Sequence, residues 1–458
     1  MKKPAHSSLM SRFLIGLSAL FAGITAMSCA QDPIFHHISL EEAPRDALIR
    51  GSPQQAVVAH EHERVYMWSH RGSAVWFFGY DAERSAWRWS SLPSPGGPVG
   101  GLAVAESVLG GGSVGGEHLF ALVYDGGVPP RRSRIMALDR YTNYPEENWR
   151  EVYSTTDDLR SLFGAHRKLF AGARRSNDYA ILAFDVTSTG FAPPGSADNL
   201  VRETIYTSSS PASLVRGVIE RGASIYFAQM GTHLTGAGSS ILVFPATLAS
   251  VMTVSDTISV PGVVITGMIK TPGDEIVVVG NAVNQGRMFL LPTGAPPAEL
   301  TERTRLGNRL FFSGGMSVWR ANTAGTNVWE PSLLLLGTWA SGLTNRIGYR
   351  EMNLTPLGNV GVGTSPIEPG NPPENGFSSV GSNARYRASI GTRAVQGIFQ
   401  VPYDLGGVAG AGFFPDMMLS ENEGWQPPIF ASTARDGMWV YYFARDRWNA
   451  EDNSINWR

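Results

Sequence analysis

The chain has 458 residues, 43% of them hydrophobic, with 37 Lys and Arg set against 39 Asp and Glu for a formal net charge of −2. That balance argues against a nucleic-acid binder and against an anchor that grips anionic lipid by charge alone. A single cysteine, Cys29, excludes an internal disulfide, so packing must supply the stability.

The first predicted element is a secretory signal. Met1-Lys2-Lys3 and Arg12 precede an apolar stretch from Phe13 to Met27, and Ser28 leads into Cys29. Basic residues, a greasy run and a small residue in that order mark an export signal. The run is shorter than the roughly 20 residues a membrane-spanning helix needs. Ala26-Met27-Ser28-Cys29 resembles the loose lipobox of spirochaete lipoproteins, with Ala26 where leucine is usual. The resemblance implies cleavage before Cys29, acylation with palmitate-type chains on its sulfur, and a membrane-anchored place in the cell envelope, on the periplasmic side or at the outer membrane. Residues 1–28 are then the signal peptide and 29–33 a short lipid tether. Cleavage removes three cations and no acid, which takes the charge from −2 to −5.

From residue 34 to 458 one pattern recurs. A β-branched or aromatic run is followed by a Gly/Asn/Asp/Ser turn and a second run. The first runs begin at Arg64, His118, Lys168, Ser224 and Glu275, with weaker copies at Pro331, Ala384 and Gly437. The steps between them are 54, 50, 56, 51, 56, 53 and 53 residues. Partner runs follow at 75–80, 135–139, 180–185, 241–244, 288–291 and 397–403. Short strands at even spacing, without helical periodicity, predict an all-β repeat fold. A unit of this length suits one blade of a β-propeller, whose small sheets bury their faces only by stacking into a ring. A pair of β-sandwiches is the alternative, but sandwiches do not require even spacing. The pattern resembles the kelch, quinoprotein and NHL-type propellers in general design and carries none of their blade signatures.

Eight anchors predict eight blades, or seven if one weak anchor marks an insertion. The stretch 361–376, with four prolines, is the best candidate for a long loop. The unit at the carboxy end lacks a fourth run, and residues 34–40 have no partner of their own. That segment is expected to complete the last blade and hide its edge.

Candidate sites are sparse. His60-Glu61-His62-Glu63 places two histidines two apart, but no further ligands stand nearby, and no metal or cofactor is expected. Residues 110–115 match G-x-G-x-x-G without the helix that dinucleotide binding needs. No nucleophile elbow or EF-hand loop is present. The tryptophans are concentrated at the two ends: Trp68, Trp76, Trp87 and Trp89 early, and Trp425, Trp439, Trp448 and Trp457 late. In a closed ring these meet in one sector. They read either as core stacking or as an aromatic face for a glycan or a protein hot spot. Arg131, Arg132 and Arg134, with Arg174-Arg175 in the next unit, read as a basic rim or as charge that protects strand edges.

The expected function is a non-catalytic protein- or ligand-binding scaffold held to the envelope membrane by lipid. Its partner is expected to be an envelope protein or glycan rather than nucleic acid. The alternative is an enzyme acting on glycans or envelope polymers through carboxylates in the central funnel.

Overall fold

In the computed structural model the described residues are 53–59, 64–69, 72–81, 86–108, 114–126, 132–139, 148–176, 178–186, 200–208, 214–230, 238–247, 252–271, 273–293, 300–305, 310–321, 329–340, 348–353, 395–400, 429–433 and 437–441. They form seven antiparallel sheets, each a meander of consecutive strands. Sheet 1 holds β1 (Pro53–Ala59), β2 (Arg64–Ser69), β3 (Val75–Asp81) and β4 (Ala86–Ser91). Sheet 2 holds β5 (Val99–Val108), β6 (Val114–Asp125), β7 (Arg132–Asp139) and β8 (Asn148–Thr155). Sheet 3 holds β9 (Asp158–Ala165), β10 (Lys168–Arg174), β11 (Tyr179–Val186) and β12 (Leu200–Ser208). Sheet 4 holds β13 (Leu214–Arg221), β14 (Ser224–Met230), β15 (Ser239–Pro245) and β16 (Asp256–Val260). Sheet 5 holds β17 (Val264–Lys270), β18 (Ile276–Asn281), β19 (Gly286–Leu291) and β20 (Thr301–Arg305). Sheet 6 holds β21 (Leu310–Ala321), β22 (Trp329–Ala340) and β23 (Gly348–Asn353). Sheet 7 holds β24 (Val395–Gln400), β25 (Ile429–Thr433) and β26 (Gly437–Tyr441).

The first strand of each sheet packs beside the first strand of the next, from β1 through β5, β9, β13, β17 and β21 to β24, and β24 packs beside β1. The seven sheets therefore close into a ring with their first strands innermost. This is an all-β propeller, and the consecutive stacking excludes two layered sandwiches. Sheets 1 and 7 are neighbours.

The strong anchors are the second strands β2, β6, β10, β14 and β18, and the partner runs that follow them are the third strands. The reason is burial. A sheet wedged between two others has both faces covered, so its middle strands are apolar on both sides rather than alternating. All six residues of β18 are buried, as are the first six of β10. Outer strands keep the half-wet alternation, as in β16.

The described residues give the lower of the two blade counts. The run 397–403 and the runs near 429 and 438 fall in one sheet, since β24 pairs with β25 and β25 with β26. A long connection, 401–428, divides that sheet in the sequence and makes one unit look like two. The weak anchor at Gly437 opens a third strand rather than a second. The anchor at Ala384, the stretch 361–376 and the closing segment 34–40 lie outside the described residues.

Five interfaces show their own cores, one between each pair of sheets from 1 to 6. Successive residues of one strand serve different cores. Leu169 and Ala171 pack toward sheet 2, while Phe170 packs toward sheet 4. Ile276 and Val278 face sheet 4, and Val277 and Val279 face sheet 6. Each such fully buried Leu, Ile, Val or Phe contributes about 1.5–3 kcal/mol. Edge-to-face aromatic pairs reinforce two interfaces, with Tyr153 and Phe184 at 4.9 Å and Phe170 and Phe227 at 4.9 Å between ring centroids.

The inner strands approach closely. A Cβ on Gly164 of β9 would lie 1.8 Å from the carbonyl oxygen of Val104 on β5, where only backbone could give way. At Gly101, a Cβ would meet nothing closer than 3.4 Å. Gly164→Ala is expected to lower unfolding stability by about 3 kcal/mol, whereas Gly101→Ala should change it by under about 1 kcal/mol. Denaturant titration of the two variants checks this; equal effects would mean that the close approach does not govern the interface.

Candidate functional site

The innermost strand of every sheet carries one extra residue against its neighbour. In β5, Val99 and Gly101 pair with Val123 and Leu122, so Gly100 is extra. By the same register shift Arg160 is extra in β9, Arg216 in β13, Thr266 in β17, Ser313 in β21 and Gln396 in β24. In β1 the shift falls across Gln54-Gln55. Seven bulges at one level make a row. A bulge pushes its extra residue out of the ladder and re-aims its side chain. A first strand has one unpaired edge, and in this ring that edge is the axial side.

A sequence signature accompanies the bulge. An apolar residue, the extra residue, a small residue and another apolar residue follow one another in Val99-Gly100-Gly101-Leu102, Leu159-Arg160-Ser161-Leu162, Val215-Arg216-Gly217-Val218, Ile265-Thr266-Gly267-Met268 and Val395-Gln396-Gly397-Ile398. The small residue has a packing role. Gly101 lies against Leu162 of the next sheet, and Gly217 against Met268 of the next. This four-residue pattern was the available signal for the axial row. Strand spacing alone did not expose it, because the pattern is short and its second position is variable.

The extra residues are chemically specific. Arg160 is exposed, and Asp158 accepts from its Nε and Nη2 at 2.9 and 2.7 Å. Arg216, at the equivalent place in the adjacent sheet, is reached by solvent, yet desolvation by surrounding protein lowers its pKa. The Thr266 hydroxyl donates to the Val279 carbonyl at 3.3 Å. At Gly100 the phenol ring of Tyr124 occupies the space a side chain would need, and its hydroxyl donates to the Leu159 carbonyl at 2.8 Å. No carboxylate occupies a bulge position.

Polar ties fix the row in level. Ser133 of β7 accepts from the Leu159 amide at 3.1 Å and donates to the Asp157 carbonyl at 2.9 Å. Ser239 of β15 accepts from the Ile265 amide at 3.0 Å, which is the same tie two sheets on. Asn281 makes two bonds with the backbone of Phe312, at 2.8 and 2.9 Å. Further ties run along the turns between first and second strands. His166 and Arg167 both take positive φ without being glycine, a strained turn. Glu220 of sheet 4 accepts from the His166 amide at 2.9 Å and meets its Nδ1 at 2.8 Å, and Arg167 meets Glu106 of sheet 2 at 3.6 Å. The turn joins three sheets.

The residues singled out from sequence scatter differently. Trp68 is half-buried against the core between sheets 1 and 2, where Trp149 also packs. Trp76 is half-buried in β3, between Met67 and Ser91 in register. Trp87 and Trp89 lie two apart on the outermost strand β4, opposite Tyr80 and Phe78 in register. Trp439 pairs with Ala431 in sheet 7. Ring closure thus brings the strands of these tryptophans into neighbouring sheets. Arg132 and Arg134 lie among carboxylates of their own sheet. Arg134 meets Asp125 at 2.7 Å, Arg132 meets Glu151 at 2.9 Å, and Arg134 also donates to the Gly96 carbonyl at 3.0 Å. Arg175 is likewise near Asp157 and Asp178, at 3.4 and 3.9 Å. Cys29, residues 36–37 and 60–63, Arg131, Trp425, Trp448 and Trp457 lie outside the described residues. Among the described residues no group of three or more His, Cys, Asp or Glu could hold a metal ion. Of residues 110–115, the last two open strand β6 and the others lie outside the described residues.

One charged cluster was not legible from spacing. Lys168, almost fully buried, pairs with Asp185 across β10 and β11, and Glu203 stands diagonally on β12. Burial, partly offset by Lys168 and reinforced by Asp185, raises the Glu203 pKa. Its Oε2 is buried with no hydrogen-bond partner among the described residues.

No protein-family model and no curated protein matches the sequence. Solved structures match it at low similarity. The PQQ-bound aldose sugar dehydrogenase of Streptomyces coelicolor is 13% identical over 67% of this chain and 95% of its own, with a TM-score of 0.36. A protein from Lactobacillus plantarum is 7% identical over 84% and 91%, with a TM-score of 0.42. The WD40 β-propeller domain of Doa1 is 13% identical over 64% and 92%, with a TM-score of 0.32. The fold assignment rests on the seven sheets and their closure.

Glu203 sets a pH dependence of definite sign. Its carboxyl is raised above the unfolded value, so its charge opposes folding above the folded pKa, and that penalty disappears once pH falls below the unfolded one. Glu203→Gln is expected to stabilise the protein by about 1 kcal/mol at neutral pH and to lose that advantage in acid. Thermal melts across the carboxylate range check it; a neutral-pH melting point below that of the parent would assign Glu203 a stabilising ion pair instead.

Proposed function

We propose that this chain is a lipid-anchored envelope propeller that binds a partner or ligand without chemical turnover. Residues 1–28 direct export, Cys29 carries the lipid, 29–33 tether it and 34–458 form one propeller domain. The observation that supports binding over glycan hydrolysis is the axial row. Hydrolysis of a glycosidic bond ordinarily needs two carboxyl groups facing each other across the bond. The bulge residues whose side chains are described are instead a glycine, two arginines and a threonine. Such residues hold a ligand by hydrogen bonds and charge. The tether leaves little reach, so the partner is an envelope protein or glycan beside the same membrane.

Two measurements test the two halves. A clickable palmitate analogue fed to cells producing the protein should label it and send it to the membrane fraction, and Cys29→Ala should abolish both. Affinity capture from mild-detergent membranes should recover a partner or a glycan. Labelling that survives the substitution would refute the anchor, and capture that is empty in several detergents would refute the binding role.

A further inference from the structure

We infer that Lys168 and Asp185 condense to an amide that cross-links β10 to β11, with Glu203 carrying the proton the step requires. The link lies in the frame of sheet 3 and is independent of the binding role proposed above.

Lys168 opens β10 and stands directly opposite Asp185 of β11. Opposed residues of an antiparallel pair hold their Cβ atoms about 4.5–5.5 Å apart, within easy reach of a lysine stem. The Lys168 Nζ contacts the Asp185 carboxylate. Glu203 of β12 lies opposite Ala183, which puts it diagonal to Asp185. Phe170 and Ala183 pack toward sheet 4, and Lys168, Asp185 and Glu203 share that side by register. Burial separates this trio from an ordinary surface pair. Lys270 and Asp274, also paired beside a turn, are 45% and 51% exposed, whereas Lys168 is 2% exposed.

The three groups suffice for the chemistry. Moving one proton along the contact turns ammonium and carboxylate into amine and acid, a neutral pair that a dry site tolerates better than charge. The Nζ lone pair then forms a bond to the Asp185 carboxyl carbon, as lysine amines do with carbonyl carbon elsewhere. The bond from that carbon to its hydroxyl breaks. The hydroxyl leaves as water with a proton from Glu203, and Glu203 takes one from nitrogen in return. Nothing is oxidised or reduced, and one water is lost. Burial raises the Glu203 pKa, Lys168 lowers it and Asp185 raises it, so both reacting groups lie within electrostatic reach of a carboxyl disposed to hold a proton. Its Oε2 is buried without a hydrogen-bond partner among the described residues, and a proton there has no competing contact. Asp185 is 30% exposed, which gives the departing water a way out. Fixed opposition of the reactants on neighbouring strands replaces the entropy that amide formation between free molecules would cost. With one cysteine in the whole chain, an amide is a cross-link that needs no second thiol.

Mass spectrometry of the full chain purified from cells, with peptide mapping, tests this. The parent should be lighter than its sequence by one water, and digestion should release a branched peptide joining residues 168 and 185. Lys168→Arg should restore full mass and abolish the branch. Asp185→Ala should do the same, and serves if the buried substitution folds poorly. Glu203→Gln, sampled at intervals after a pulse of synthesis, should lose water at least about tenfold more slowly. Lys168→Arg also supplies the unlinked background in which the Glu203→Gln melts are read. A parent of full mass without the branched peptide would overturn the link. So would a water loss that persists in both Lys168→Arg and Asp185→Ala, which would belong to dehydration elsewhere. Linkage as fast in Glu203→Gln as in the parent would overturn the part given to Glu203.

Discussion

Every sheet in this ring must bury two faces, and that single requirement organises the molecule. A lone four-stranded sheet has no way to satisfy it, so each one borrows a neighbour on either side. The consequence is visible residue by residue in β10 and β18, where alternate side chains belong to different cores. The middle strands lose the hydrophobic–polar alternation of ordinary antiparallel sheets and become continuous apolar runs. Continuous runs of this kind produce the periodicity of the sequence.

Covering both faces also forces the inner strands together, and glycine enters the design at that point. Gly164 admits the carbonyl of Val104, while Gly101 and Gly217 let the next strand's Leu162 and Met268 settle against the backbone. Polar ties at Ser133, Ser239 and Asn281 then hold neighbouring sheets at matched height. The strained His166-Arg167 turn is retained because its backbone and side chains bond to sheets on both sides. Level and spacing around the axis follow from these contacts, and the axial residues inherit them.

The architecture was readable in the sequence because burial writes a long, repeated signal. Second strands such as 168–174 and 276–281 stand out against their turns. The blade count was less readable, since connection 401–428 splits sheet 7 and a spacing rule treats the halves as two units. The axial row was illegible by spacing for a different reason. A bulge is a difference in count between two strands, and it appears only once the register is known. Arg132 and Arg134 carried two readings from sequence, a basic rim and protection of strand edges. Three basic residues in four suggested a positive rim, but Asp125 and Glu151, distant in sequence, lie across the strands from them. The aromatic face suggested by the tryptophans is half core: Trp68 packs between sheets 1 and 2.

The bulge residue belongs neither to the ladder nor to the contact between sheets. Its side chain is settled locally instead: Thr266 turns back to the Val279 carbonyl, and at Gly100 the Tyr124 ring fills the place a side chain would need. A ring built in this way separates its frame from its chemistry. The described stations differ accordingly: a guanidinium held by a carboxylate on its own strand, a hydroxyl held by the second strand, and a glycine whose place an aromatic ring has taken.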